Sequence, residues 1–229
     1  GSAMHQFFPL TMEANEGDSR EEGNKRVYGD DHLWCVLAVC AYLKETGDYD
    51  LLEEKITFYD KDLSLSEREQ GSVLEHLRRA VAYTKANVGQ HGLPLLGFAD
   101  WNDTVNLHGD AESLFIANMY GVALCEIIDL WEHVGELGEV ASFLDDWKKM
   151  RDAVNTHGWD GEWYVRYFEE NGSAIGSKHN LEGKIFTNGQ SWPVISGFAS
   201  EDRAQTALDS VYDQLNTEHG IKLSGPGFT

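Results

Sequence analysis

Segments with helical hydrophobic periodicity recur along nearly the whole chain of 229 residues, and they constrain its fold more than any other feature. Long helices are predicted over residues 33–46, 72–87, 112–134, 137–155 and 202–215. The third helix is apolar on more than one face, which predicts an inner helix that is buried. Gly47 is expected to end the first helix, and Ser200 is expected to cap the last.

The loops between these helices are long and rich in Gly, Asp, Trp and Asn. Helices joined in this way predict an all-α fold. The expected architecture is a helical toroid, in which the inner ring of helices forms the bottom of a central cleft and the loops line its opening. Residues 163–168 are aromatic and β-prone, and residues 169–173 supply a turn, so a short hairpin is predicted there. A long loop is expected to follow, from Gly176 through Gln190. We see no linker composition, and we place no internal domain boundary.

Charge and composition exclude several classes of function. The chain carries 39 acidic and 18 basic residues, a formal net charge of −21, so its field repels nucleic-acid phosphates and anionic membranes. The 3 cysteines form no regular framework, which favours reduced thiols and a cytoplasmic protein. No apolar run of transmembrane length is expected. Residues 1–4 resemble an expression-tag remnant, so the domain is expected to span residues 5–229.

Two acids flank a tryptophan in the segment Asp100-Trp101-Asn102-Asp103. An indole offers an apolar face to a sugar ring, and carboxylates bind hydroxyls or transfer a proton. The segment therefore predicts a carbohydrate site. A structural alternative is open: the acids could cap the next segment while Trp101 anchors the core.

A second acidic pair, Asp30 and Asp31, stands at the start of the first helix. One of them suffices to cap the helix, and the pair could instead accept hydrogen bonds from two sugar hydroxyls. Residues 180–193 concentrate amides, an acid, a base and a tryptophan. Gln190 lies among them, and such side chains bind either sugar hydroxyls or buried backbone groups.

Cofactor chemistry has little support in the sequence. His32 has no companions at metal-ligand spacing, so no metal site is expected. The chain has no Gly-x-Gly-x-x-Gly motif, no Walker-type lysine loop and no nucleophile-elbow serine. Cofactor-dependent enzymes and serine hydrolases are therefore disfavoured, and no cofactor is expected.

Several segments, taken in order, resemble a known family. They are residues 5–11, 29–34, 91–97, 99–103, 182–186 and 190–192. With these segments the chain is similar to the catalytic domain of the inverting glycoside phosphorylases of glycoside hydrolase family 94, which include cellobiose, cellodextrin and chitobiose phosphorylases. The resemblance runs over nearly the whole chain. It implies an (α/α)6 barrel, in agreement with the helical toroid.

The resemblance also implies a reaction. The family's general acid falls on Asp103, and Trp101 lines the sugar subsite that receives attack. Asp103 would protonate the glycosidic oxygen of a β-linked disaccharide or oligosaccharide while inorganic phosphate, the co-substrate, attacks the sugar. Phosphate is already anionic, so no second carboxylate is needed as a base. The expected product is a sugar 1-phosphate of inverted configuration, with cellobiose-like β-glucosides as the default substrates.

Further substrate-binding residues follow from the same resemblance. An Asp of the acidic pair binds hydroxyls of the attacked sugar, with Asp30 as the first choice and Asp31 as the second. The family has an Arg before this pair, and Arg26 is the candidate here, although Asn24 stands at the family's spacing. Gln190, from the amide-rich loop, is a further candidate substrate-binding residue.

The chain is shorter than members of the family, and it is expected to lack the phosphate-binding part, so its activity as an isolated enzyme is left open. A partial barrel exposes apolar helix surface, which predicts a homo-oligomer. Two alternatives stand beside phosphorolysis. One is an inverting glycoside hydrolase on the same barrel, for which Glu182 is the candidate base. The other is a non-catalytic fragment that binds sugar or serves assembly.

Overall fold

The computed structural model describes residues 1–11, 14–15, 27–60, 62–103, 105 and 107–228. Within these residues the α-helices are α1 Asp31–Thr46, α2 Val73–Ala86, α3 Leu114–Val134, α4 Leu137–His157, α5 Thr187–Ile195 and α6 Glu201–Leu215. A 3₁₀ helix spans Tyr49–Glu53. The strands are short: β1 Gln6–Phe7, β2 Ala14–Asn15, β3 Lys55–Thr57, β4 Gln70–Ser72, β5 Glu112–Ser113, β6 Tyr167–Phe168, β7 Ala174–Ile175, β8 Ile185–Phe186, β9 Asn216–Thr217, β10 Gly220–Ile221 and β11 Ser224–Gly225.

The helices alternate along the chain between two layers. Helices α1, α3 and α5 pack against one another in that order, while α2 packs on α1 and α3, α4 on α3, and α6 on α5. Three helix pairs therefore form an inner row and an outer row within the described residues, which is the packing of an (α/α)6 barrel. The prediction of a mainly helical barrel fold is confirmed.

The helix boundaries agree with the local signals in the sequence. Gly47 ends α1 in the left-handed conformation and donates its N–H to the carbonyl of Leu43. Ser200 caps α6 by accepting a hydrogen bond from the N–H of Arg203, as predicted. Asp30 occupies the N-cap position of α1, but its side chain makes no capping bond to the helix backbone.

Helix α3 forms the centre of the core, as its apolar sequence predicts. Its buried residues occupy every side, including Phe115, Tyr120 and Trp131. By length and composition alone α3 could cross a membrane, so the expectation that no apolar run is long enough was wrong. However, 72% of its most apolar stretch is buried inside the protein, as in any core helix.

Helix α5 was not predicted, because residues up to Gln190 were expected to form a loop. Pro193 lies inside this helix, and prolines and glycines disfavour helices. Gly189, Gln190 and Pro193 are nevertheless buried against the rest of the fold. Tertiary packing therefore overrides the weak local propensity.

The predicted hairpin is confirmed as strands β6 and β7, joined by a turn over residues 169–173. The structure adds a third strand, because β5 pairs antiparallel with β6 and places Ser113 opposite Tyr167. Strand β5 of this small sheet directly precedes α3 in sequence. The sheet therefore connects the hairpin to the N-terminal end of the central helix.

Candidate active site

Main-chain pairing brings the two acidic motifs of the sequence together. The N–H of Gly29 donates to the carbonyl of Ala99 at 2.9 Å, and the N–H of Phe98 donates to the carbonyl of Val27 at 2.9 Å. Gly97 makes this approach possible, because its φ is 69° and a Cβ there would lie 2.2 Å from the Val27 carbonyl oxygen. The start of α1 therefore lies directly beside the segment that begins at Asp100.

Asp100 is fully buried and is held by a buried arginine. Its two carboxylate oxygens accept one hydrogen bond each from the guanidinium of Arg166, both at 2.8 Å. Arg166 is 1% exposed, so the pair is shielded from water on both sides. An unpaired charge at this depth would be costly, and each partner removes that cost for the other.

Two hydroxyl groups also donate hydrogen bonds to Asp100. Ser113 donates to Oδ2 at 2.6 Å, and Tyr167 donates to Oδ1 at 3.2 Å. Ser113 also accepts from the N–H of Ile116, so the same hydroxyl caps α3. We call Asp100, Arg166, Ser113 and Tyr167 the anchor cluster. It joins the acidic loop, strand β6 and the first turn of α3.

The residues that follow Asp100, unlike Asp100 itself, are largely exposed to solvent. Trp101 is 52% exposed, and Asp103 is exposed as well. Asp100 Oδ1 accepts from the N–H of Asn102 at 3.0 Å, which is a local side-chain turn. The structural alternative therefore applies to Asp100, whereas Trp101 does not anchor the core. We call residues 100–103 the acid loop.

Asp30 is buried beside the anchor cluster. Its Oδ2 accepts a hydrogen bond from the indole N–H of Trp34 at 2.9 Å. Burial raises the pKa of Asp30 to about 7, the hydrogen bond from Trp34 opposes this, and the charges of Asp100 and Asp31 raise it further. A side chain that is only 2% exposed is poorly placed to contact a ligand.

Asp31 faces outward from the same helix start. Its carboxylate lies 3.2 Å from Nδ1 of His5, whose ring stacks on Tyr28 with centroids 3.7 Å apart. Burial raises the pKa of Asp31, His5 lowers it through its charge and hydrogen bond, and the charge of Asp103 raises it. Asp31 is 18% exposed, whereas Asp30 is buried. The role of either acid in ligand binding stays a prediction.

An aromatic group lies next to these acids. The ring centroid of Trp34 is 6.0 Å from that of Trp192 and 6.5 Å from that of Phe115. Trp34 is partly exposed, and Trp192 reaches it from α5. Aromatic rings therefore lie beside Asp30, and the indole N–H of Trp34 bonds to its carboxylate.

The side chain of Gln190 forms hydrogen bonds with backbone groups. Its amide accepts from the N–H of Tyr164 at 2.8 Å and donates to the carbonyls of Tyr164 and Phe186 at 2.8 and 3.1 Å. Gln190 is fully buried, so these contacts correspond to the backbone-satisfying alternative and give no support to substrate binding. Arg26, the other predicted contact, lies outside the described residues.

His32 belongs to a separate environment behind the acidic pair. Its Nε2 lies 2.6 Å from the hydroxyl of Thr84, and burial lowers its pKa to about 4. A cavity of about 350 Å³ lies beside it, and neither Trp101 nor Asp103 lines that cavity. Among the described residues, no group of three or more His, Cys, Asp and Glu side chains could hold a metal ion.

Sequence reasoning missed the partners of the acid loop. Arg166 lies between aromatic residues in a β-prone run, where a charged residue is either exposed or buried with a partner. The position of Arg166 in this run indicated a buried ion pair, but its partner, Asp100, lies 66 residues away in sequence. Ser113 was expected only to open a helix, and His5 was noted only as part of a motif.

An inner row of helices, with an exposed indole and carboxylates at one end, is typical of carbohydrate-active proteins. The family model for the catalytic domain of the glycosyl hydrolase 94 superfamily matches residues 1–229. The chain therefore belongs to this family, and the resemblance seen in the sequence is confirmed.

Individual relatives are similar over most of the chain. It is 32% identical over 223 residues to the N,N'-diacetylchitobiose phosphorylase of Vibrio proteolyticus, covering 96% of this chain and 27% of that protein. It is 35% identical over 207 residues to the solabiose phosphorylase of Paenibacillus borealis, covering 89% and 26%. It is 30% identical over 218 residues to the cellobionic acid phosphorylase of Neurospora crassa, covering 93% and 26%. The chain thus spans about a quarter of the length of these relatives.

Proposed function

We propose that this chain carries the general acid and part of the sugar subsite of an inverting phosphorylase that acts on a β-linked disaccharide or oligosaccharide. The observation that supports this most is the acid loop, in which Asp103 and Trp101 are exposed at the tip while Asp100 is fixed beneath them. In this proposal Trp101 packs against the sugar ring, and Asp103 gives a proton to the glycosidic oxygen.

The proposed step balances without a cofactor. The bond between the anomeric carbon and the glycosidic oxygen breaks, and the leaving oxygen takes the electron pair and the proton of Asp103. An oxygen of hydrogen phosphate forms the new bond to the anomeric carbon from the opposite face, which converts a β-linkage into an α-sugar 1-phosphate. The proton that phosphate releases restores the protonated state of Asp103 through solvent.

Asp31 is our choice for the carboxylate that binds sugar hydroxyls. It is partly exposed, and the charge of Asp103 raises its pKa. A hydroxyl-binding carboxylate held by His5 would strengthen its hydrogen bonds as positive charge develops on the ring. Sugar seated on Trp101 would also exclude water from Asp103, which strengthens the electrostatic interactions of the acid.

The substrate class is supported by the relatives, whose names state that they are phosphorylases of diacetylchitobiose, solabiose and cellobionic acid. We extend this to a β-linked disaccharide or oligosaccharide as substrate and inorganic phosphate as co-substrate. A cytoplasmic location and a homo-oligomeric state also belong to the proposal. A formal net charge of −21 disfavours a nucleic acid or an anionic membrane as a partner.

The test is phosphate dependence in the longest natural chain that contains this sequence. Cellobiose and N,N'-diacetylchitobiose would be incubated with and without inorganic phosphate, and products followed by ³¹P and ¹H NMR. We expect an α-sugar 1-phosphate that forms only with phosphate, and its loss in Asp103→Asn.

The rival functions give different results in the same experiment. A hydrolase would release free sugar at the same rate without phosphate, and Glu182→Gln would then abolish it. A sugar-binding module would be stabilised by the disaccharide against heat without any turnover. Either outcome would reject phosphorolysis.

A further inference from the structure

The anchor cluster is built from three distant parts of the chain. Asp100 begins the acid loop, Ser113 lies in β5 at the start of α3, and Arg166 and Tyr167 lie at the edge of the hairpin. Strand pairing places Ser113 opposite Tyr167, so their positions are set by the sheet. Residues of the rigid scaffold therefore meet at a single carboxylate of the acid loop.

The contacts fix the orientation of Asp100 as well as its charge. The guanidinium donates through two nitrogens to two oxygens, and this forked geometry defines the plane of the carboxylate. The guanidinium plane is itself held between aromatic rings, with its carbon 4.1 Å from the ring centre of Tyr167 and 5.0 Å from that of Phe115. A lysine ammonium would supply the charge without the fork.

The orientation of Asp100 extends along the acid loop. Its Oδ1 accepts from the N–H of Asn102 at 3.0 Å and from the hydroxyl of Tyr167 at 3.2 Å. Asn102 precedes Asp103 directly. The backbone of the residue before the proposed acid is therefore held by Asp100, the carboxylate that the rest of the anchor cluster orients.

We propose that Arg166 is a positioning residue for Asp103: through Asp100 and Asn102 it determines where the acid stands relative to the glycosidic oxygen. This inference rests on the proposed function. A displacement of about 1 Å in a catalytic group costs roughly 100-fold in rate. Arg166 need not touch the substrate to produce such an effect.

The catalytic test uses Arg166→Lys in the longest natural chain that contains this sequence. The variant keeps a positive charge beside Asp100, and two donors are compared. A β-linked disaccharide needs a proton on its leaving oxygen, whereas a β-glycosyl fluoride releases fluoride with little help from an acid. We expect kcat for the disaccharide to fall about 100-fold with KM nearly unchanged, and kcat for the fluoride to change only a few-fold. A parallel loss on both donors, or no loss on either, would overturn the proposal.

Matched variants separate positioning from stability. Tyr167→Phe removes only a hydroxyl, and we expect the same selective loss on the disaccharide at a smaller, several-fold level. Arg78→Lys is the control, because Arg78 also bonds to two carboxylates, Glu75 at 2.7 Å and Glu139 at 2.8 Å, but on helices α2 and α4. It should leave both donors unaffected.

A second readout does not depend on activity. The 7 tryptophans would be replaced with 5-fluorotryptophan, and the ¹⁹F signal of Trp101 assigned with Trp101→Phe. In Arg166→Lys we expect this signal to shift or split while the others stay in place. An unchanged Trp101 signal would overturn the positioning role, whereas a wild-type protein that cleaves neither donor would reject the proposed function instead.

Discussion

Asp100 and Asp103 stand three residues apart and have opposite environments. Asp100 is fully buried with both oxygens bonded, and Asp103 is exposed at the tip of the same loop. The buried carboxylate is held by Arg166, Ser113 and Tyr167, and the exposed one is accessible to solvent. The comparison teaches that two acids of one motif can differ in role: Asp100 holds the loop, and Asp103 is the one available for the proposed proton transfer.

The largest difference should appear in catalysis. Asp103→Asn should lower the rate of phosphorolysis by about 10²–10⁴-fold, because it removes a general acid, and should leave thermal unfolding unchanged because the side chain is exposed. Steady-state kinetics test the expected loss of rate, and a thermal melting curve tests the unchanged stability. Asp110→Asn, an exposed acid in the following loop, is the control. Normal turnover in Asp103→Asn would place the acid elsewhere.

A substitution at Asp100, the buried base of the acid loop, should lower the stability of the protein. Asp100→Ala leaves the buried guanidinium of Arg166 without a counter-charge, and we expect the free energy of unfolding to fall by about 3–5 kcal/mol. Urea denaturation measures this. Asp145→Ala breaks the exposed pair with Lys149 and should have little effect. Equal effects of the two variants would contradict the distinction between the buried and the exposed ion pair.

A third prediction concerns pH. Because burial raises the pKa of Asp30 to about 7, the folded state binds a proton that the unfolded state releases, so this contribution to stability is present below about pH 4 and is lost as pH rises towards about 7. Asp30→Asn should abolish it, with a slope difference of up to about 1.4 kcal/mol per pH unit. His32, with its pKa lowered to about 4, acts in the opposite direction in both proteins. Parallel stability profiles for Asp30→Asn and wild type between pH 4 and 7 would show that Asp30 is not the group that titrates.

The smallest effect is expected at the indole. Trp101→Ala should weaken disaccharide binding by about tenfold, or roughly 1.4 kcal/mol, because an apolar face for the sugar ring is lost. Since Trp101 is 52% exposed, stability should hardly change. Calorimetric titration checks the affinity, with Trp147→Phe as a control from α4. An unaltered affinity would show that the tip of the loop does not hold the sugar.

The sequence was most informative where structure is local. The long helices and the hairpin follow from periodicity and turn residues, and both were predicted. Helix α5 was missed, because Pro193 and Gly189 disfavour a helix and only burial of the finished fold stabilises it. Local propensity cannot report a stabilisation that arises from distant contacts.

The candidate site was predicted only in part, for similar reasons. The acid loop was singled out by composition, but the division between Asp100 and Asp103 depends on Arg166, which is remote in sequence. Periodicity does not fix a helix boundary to a single residue, so it could not tell which of Asp30 and Asp31 is the buried N-cap residue.

The pairing of residues 27–29 with residues 97–99 has an evolutionary consequence. These bonds join backbone atoms, so most side-chain exchanges on either segment do not delete them. Gly29 and Gly97 are exceptions, because a Cβ at either would lie 2.6 Å or less from a carbonyl oxygen. The surrounding surface can therefore change while the two acidic segments stay side by side. Libraries that diversify the exposed positions around these bonds, and leave Gly29 and Gly97 untouched, should keep a high share of folded members.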